Sequence, residues 1–184
     1  SRELSTSLDL NYLLNLVYDE ALRTTHADCG TIMLFDLENQ SAEPAVRFFV
    51  GDMPEPELSP MERRVVERDE PLNIADFSRS EFKPPHPGAQ SALIVPISHQ
   101  RRIAGLICLH GKSAGQFDST ATEISQSLAV QAAVALNNAL AYEEQTRRGA
   151  LLKRELDTLS RLIQVSRVLK PNQSLQQSLT AIAN

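Results

Sequence analysis

From Asp118 to about Leu169 the chain runs for about fifty residues with no proline and a single glycine, Gly149. The stretch is rich in Ala, Leu, Gln, Glu and Arg, residues that lose little freedom in a helix. Phe117-Asp118-Ser119-Thr120 marks its start: Asp118 can accept from amides of the first turn, and Glu123 adds negative charge near the positive helix end. Pro171 marks the expected stop. At 1.5 Å per residue such a helix would be about 75 Å long, roughly twice what a domain of this size can cover. Its first half is therefore expected to pack on a globular body and its second half to leave it.

Composition divides the two halves. Between Ile124 and Leu140 the apolar residues are small and dense (Leu128, Ala129, Ala132, Val134, Ala135, Leu136, Ala139), as a helix lying close against a sheet requires. From Gln145 onward Arg147, Arg148, Lys153, Arg154, Glu155 and Asp157 bring charge, and the apolar residues thin to Leu152, Leu156, Leu159 and Ile163. Spacings of four, three and four make an a/d seam. The seam predicts a parallel dimer interface through these four residues; an amphipathic helix lying on its own domain is the alternative. The expected partner is a second copy, paired through the N- and C-terminal helices.

A length of 184 residues, 42% of them hydrophobic, fits one domain plus appendages. The net charge of −5, with no basic cluster interleaved with aromatics, argues against a nucleic-acid partner. No apolar run approaches the roughly 20 residues of a membrane span, and the first residues do not read as a signal peptide. Two cysteines in apolar, strand-like contexts suit free thiols in a reducing compartment. The expected location is the cytoplasm.

Taken in order, Ser1 to Ser7 reads as the tail of a preceding linker. Asp9 then caps an amphipathic helix striped by Leu10, Leu13, Leu14, Val17, Ala21 and Leu22, and His26-Ala27-Asp28 ends it. Cys29 to Asp36 reads as a strand, and Cys29 to Phe35 is apolar on both parities, which predicts a central one. Val46 to Val50 pairs back, and Pro54, Pro56 and Pro60 keep Gly51 to Pro60 irregular. Ser59-Pro60-Met61-Glu62 opens a second helix, running to about Arg68, with a capping box. Pro71 to Ile74 reads as a short edge strand, and Asp76 to Gln90, with three prolines, as a loop. Ser91–Ser98 and Ile103–Gly111 form a hairpin through His99-Gln100-Arg101-Arg102. Clustered strands flanked by helices imply an α+β fold with a five-stranded antiparallel sheet. The first and last helices should share one face, leaving the other to the second helix and the proline-rich loop.

The two ends echo each other at an offset of 165 residues, Ser166-Arg167 on Ser1-Arg2. Leu169, Leu175, Leu179 and Ile182 then fall on Leu4, Leu10, Leu14 and Val17, and Ser174 on Asp9. The echo predicts a linker over 143–170 and, over 171–184, the start of a second, truncated repeat of the domain at 8–142.

The runs Ala92-Leu93-Ile94-Val95-Pro96-Ile97 and Ile103-Ala104-Gly105-Leu106-Ile107-Cys108-Leu109, then Phe117-Asp118 followed by Leu128 to Glu143, resemble the GAF family of sensory domains. Ala27-Asp28-Cys29-Gly30-Thr31-Ile32-Met33-Leu34-Phe35-Asp36 is similar to that family's first strand. The resemblance implies a five- or six-stranded antiparallel sheet. It also implies a place in a bacterial signalling protein, often in tandem, that controls a histidine kinase, nucleotide cyclase or transcription activator in the same chain. Bilin-binding members carry a Cys-His pair where this chain has Pro85-His86, with no cysteine for a thioether. Methionine-sulfoxide-reductase members carry cysteines in pocket loops, and residues 76–90 contain none.

A small molecule would on this reading sit between the sheet and segment 51–90, and the candidate ligand-binding residues are Phe49, Phe77, Phe82, His86, Cys108 and His110. No cofactor is specified. Cys108 and His110 share one strand face, and Cys29, Thr31, Met33 and Phe35 share another, so the two thiols are expected near each other. Burial as small hydrophobes explains them better than a redox pair. A zinc site usually has four closely spaced ligands, and Cys29, Cys108, His86 and His110 lack such a motif, so no metal is expected. No nucleophile elbow, P-loop or paired-carboxylate arrangement is present, so the fragment is not expected to be an enzyme. A sensory relay is the preferred reading. A ligand-free dimerising spacer is the alternative, and a thiol-based reductase stands third.

Overall fold

The computed structural model describes residues 2–52 and 58–182; Pro54 and Pro56 lie outside the described residues. Helix α1 spans Arg2–Thr25 as one element. The expected break before Asp9 is absent, because Ser5-Thr6-Ser7 holds neither proline nor glycine to interrupt the backbone ladder, and Asp9 is an exposed residue within the helix. His26, with φ of 57°, turns the chain out of α1. Strands β1 (Cys29–Phe35) and β2 (Val46–Gly51), helix α2 (Pro60–Arg68) and strand β3 (Leu72–Ile74) follow. Strands β4 (Ser91–His99) and β5 (Arg102–Gly111) then lead to helix α3 (Ser119–Ile182).

The five strands form one antiparallel sheet in the order β2-β1-β5-β4-β3. β1 is an inner strand, as its two-sided apolar pattern demands, and the short β3 beside Pro71 is an edge. On one face Leu10, Leu14, Tyr18 and Ala21 of α1 and Leu128, Ala132 and Leu136 of α3 pack on Ile32, Leu34, Leu93, Val95, Ile107 and Leu109. On the other face Met61 and Val65 of α2, with Phe77 and Ala89 from the loop, cover Met33, Phe35, Ile94, Leu106 and Cys108. Asp118 accepts a 2.8 Å hydrogen bond from the Ala121 amide and caps α3. The capping box of α2 takes another form: the Ser59 hydroxyl bonds the Glu62 carboxylate rather than a backbone amide.

The chain divides into two compact units, Ser1–Leu140 and Ala141–Asn184. Helix α3 does not stop at Pro171. A proline removes one backbone bond and weakens the helix locally, and here the flanking Leu, Lys and Gln residues are good enough helix formers to continue it. In the second unit Leu152, Leu156, Leu159 and Ile163 are all exposed, as are Leu151, Leu162, Val165, Val168 and Leu169.

The β4–β5 hairpin closes tightly. His99 pairs with Arg102, and the two turn residues, Gln100 and Arg101, have φ of 49° and 63°. Positive φ at both central positions is the primed turn that suits strand twist and favours Asn-Gly. Side chains with a Cβ are strained there. Gln100→Asn combined with Arg101→Gly is expected to raise stability by about 1 kcal/mol. The check is a higher urea midpoint at unchanged m-value; an unchanged or lower midpoint would contradict the strain.

Candidate functional site

On the α2 side of the sheet the apolar covering stops short of the ends of β1 and β5. Cys29 is the first residue of β1 and lies directly across the ladder from His110, the penultimate residue of β5. The Asp28 amide donates to the His110 carbonyl at 2.9 Å and extends the pairing past Cys29. A third side chain comes from the loop before β4. There the Ala89 amide donates to the His86 carbonyl at 3.1 Å, Ala89 is buried, and the Gln90 amide donates to the Gly111 carbonyl at 2.8 Å. This turn carries the half-buried His86 to Cys29, with 3.5 Å between Cys29 Sγ and His86 Nε2. Cys29 Sγ lies 4.0 Å from His110 Nδ1. The two imidazoles are tilted by 53°, with centroids 5.3 Å apart.

The surroundings are charged and tied down. Asp28 accepts from the Lys112 amide at 2.7 Å and from the Gln116 side chain at 3.1 Å, which hold its carboxyl below its usual range. Asp52, whose amide donates to the Gly30 carbonyl at 3.1 Å, accepts from the Tyr18 hydroxyl. Burial, then that bond to Asp52, drives the Tyr18 phenol well above its ordinary value. Burial pushes the Cys29 thiol up; the Asp52 and Asp28 carboxylates add to this, and Lys112 opposes it. His110 is 3% exposed, and burial, followed by the neighbouring His86, lowers it to about 4. It is a neutral imidazole at neutral pH.

Among the described residues, the buried side-chain oxygens or nitrogens without a hydrogen-bond partner are Thr31 Oγ1, His110 Nε2 and Ser125 Oγ. Two of these three stand on this sheet face: Thr31 is the next residue of β1 on the Cys29 side, and it pairs with Cys108. Such groups cost stability where nothing satisfies them, and two of them flank Cys29.

The residues expected to bind a ligand separate into several places. His86 and His110 come together, and Cys29 completes their cluster. Cys108 is buried one pair further along the ladder, and burial, aided by the Glu62 carboxylate, holds its thiol well above the usual range. Both cysteines are free. Phe77 is buried in the core beneath the loop. Phe82, with the Arg64 guanidinium 4.9 Å from its ring centre, lines a cleft of about 670 Å³ beside β3, with Asn73, Asp76, Arg79 and Glu81. Phe49 pairs with Met33 on the edge strand and is 41% exposed. Cys29 was weighed in the sequence as a partner of Cys108 and, with Cys108 and the two histidines, set aside as a zinc ligand for want of a spacing motif; its position opposite His110 is the signal that joins it to the histidines.

An open antiparallel sheet, with helices from either side of it in sequence on one face and a partly covered polar cluster on the other, defines the class of small α+β domains with a site on the sheet. A family model for the GAF domain matches residues 9–136, and the chain belongs to the GAF domain family. The GAF domain region of a putative membrane protein from Geobacter sulfurreducens PCA is 21% identical, covers 74% of this chain and 99% of its own, and superposes with a TM-score of 0.61. The GAF domain of an Acinetobacter phosphoenolpyruvate-protein phosphotransferase is 19% identical over 77% of this chain and 96% of its own, at 0.52. A type II free methionine-R-sulfoxide reductase from Thermoplasma acidophilum is 15% identical over 72% and 94%, at 0.57. Likenesses at this identity establish the fold. No curated protein matches the sequence. No described helix is long and apolar enough to cross a membrane.

Proposed function

We propose that this GAF domain is a non-catalytic sensory module. Occupation of its α2-side face biases the pairing of two copies along α1 and α3, and so controls an output domain in the same chain. A histidine kinase, a nucleotide cyclase or a transcription activator would suit such a relay. The single observation that carries the reading is the exposed apolar row Leu152, Leu156, Leu159 and Ile163, between 55% and 64% exposed in one chain. Heptad spacing of this kind is covered by another helix, and a second copy offers the same row in register. Tyr12, Leu13 and Leu16 of α1 are also exposed and offer a partner copy a separate apolar surface.

A reductase neighbour raises the thiol alternative. A reactive thiolate needs a lowered pKa, whereas Cys29 and Cys108 are both pushed up, which favours binding over nucleophilic chemistry. The test is sedimentation of the intact chain, with dimers expected at micromolar concentration. Monomers persisting into the high micromolar range would remove the relay.

A further inference from the structure

The cluster around Cys29 has a donor set that suits one class of ligand. The sulfur of Cys29 and one ring nitrogen each of His86 and His110 lie within 4.8 Å of one another. A tetrahedral zinc-type centre has a metal–sulfur bond of about 2.3 Å and metal–nitrogen bonds of about 2.0–2.1 Å, which set sulfur and nitrogen about 3.5 Å apart. The Cys29–His86 edge is already 3.5 Å and the Cys29–His110 edge 4.0 Å. Cys29 and His86 are only partly buried, so small rotations of their side chains can close the remaining distance. The imidazoles are inclined to each other rather than stacked, as two rings converging on one centre would be.

A further observation favours a cation over an anion. The carboxylates near the thiol, Asp28 and Asp52, already accept from Lys112, Gln116 and Tyr18 and are held in place as fixed negative charge. That field repels anions and attracts cations. Thiolate with imidazole is a soft to borderline donor set, suited to zinc and its d-block neighbours rather than magnesium or calcium.

We propose that Cys29, His86 and His110 bind a divalent d-block cation of the zinc class, leaving its fourth coordination position open on the half-exposed side of the site. On binding, the Cys29 thiol gives its proton to solvent and the metal–sulfur bond replaces the S–H bond. A three-ligand centre with an open position accepts water or a small exogenous donor. The inference names a ligand class for the face used in the sensory reading, and rests on that reading for its regulatory meaning alone.

The experiment titrates cobalt(II) into tag-free intact protein kept reduced with a phosphine. One equivalent is expected to bind, with a thiolate-to-cobalt charge-transfer band in the near ultraviolet that zinc(II) bleaches. Cys29→Ser abolishes the band, Cys108→Ser keeps it, and His86→Ala weakens cobalt affinity at least about tenfold. Absence of the band, or a band that survives Cys29→Ser, overturns the proposal. Should Cys29→Ser fail to fold, His86→Ala decides through thermal unfolding. Zinc is expected to raise the melting temperature of the unaltered protein, reversibly with chelator, and to leave His86→Ala unmoved; an equal rise in both overturns the site. Sedimentation with and without zinc separates the two readings. Metal bound with no effect on pairing keeps the centre and removes the relay, whereas dimers in a protein that binds no metal do the reverse.

Discussion

Leu156→Asp combined with Leu159→Asp is expected to turn dimers into monomers, with a loss of affinity of at least about a thousandfold, or roughly 4 kcal/mol. In the proposed dimer both positions lie against the partner helix, so each dimer would bury four carboxylates among apolar side chains. An unpaired charge in an apolar seam costs several kcal/mol. The same substitutions should leave the fold of a single chain intact, because in one chain Leu156 and Leu159 are 64% and 55% exposed. Stability loss and dissociation are thereby separable: sedimentation reads the second, and far-ultraviolet dichroism with near-native melting controls for the first. Dimers of unchanged affinity would take the seam out of the mechanism and leave α1 as the surface to test. The exposed apolar residues beyond the seam, Leu162, Val165 and Leu169 among them, make the band broader than a strict a/d stripe. The double substitution is chosen for that reason, since one leucine could be spared by a small rotation of the pair.

The order of elements was legible because each carries its own local chemistry. Asp118 before a helix-forming run, Ser59-Pro60 before an amphipathic turn, and two apolar runs about a short polar link all became the elements they indicate. Asp9 and Pro171 misled because a capping residue and a helix breaker act by competition. At Asp9 no helix break precedes the cap candidate, and at Pro171 the neighbouring residues keep the helix going. The cluster was only half legible. His86 and His110 stood out singly, but the pairing of Cys29 with His110 depends on the register of two strands far apart in sequence. Alternation normally fixes register by burying one face. Strands β1 and β5 are apolar on both faces, so shifting one by a residue leaves their patterns equally plausible. Phe49, Phe77 and Phe82 went to three different environments for a related reason: loops and edges have no period to say which way an aromatic ring turns.

Gly30→Ala is expected to lower stability by about 3 kcal/mol, with a fall in melting temperature on the order of 10 °C, and Gly105→Ala should act likewise. An alanine in place of glycine on an ordinary strand would do the opposite, stabilising by about 0.4–1 kcal/mol through the unfolded chain. The sign therefore discriminates. A Cβ on Gly30 would lie 2.1 Å from the Cys108 carbonyl oxygen, and one on Gly105 2.2 Å from the Met33 carbonyl oxygen. Both obstructions are backbone atoms of the partner strand, so no side-chain rotation relieves them, and β1 and β5 must move apart. These strands are inner members of the sheet and carry Ile32, Leu34, Ile107 and Leu109 into the main core, so the separation propagates into packing. The two glycines stand toward opposite ends of one ladder, Gly30 opposite Leu109 and Gly105 opposite Leu34. Gly30 adjoins Cys29, so its replacement also shifts the thiol against His110, whereas Gly105→Ala disturbs the far end of the ladder. Cobalt affinity should accordingly fall much further in Gly30→Ala than in Gly105→Ala at matched loss of stability. Equal affinity in the two variants would mean that the β1–β5 spacing does not set the geometry around Cys29.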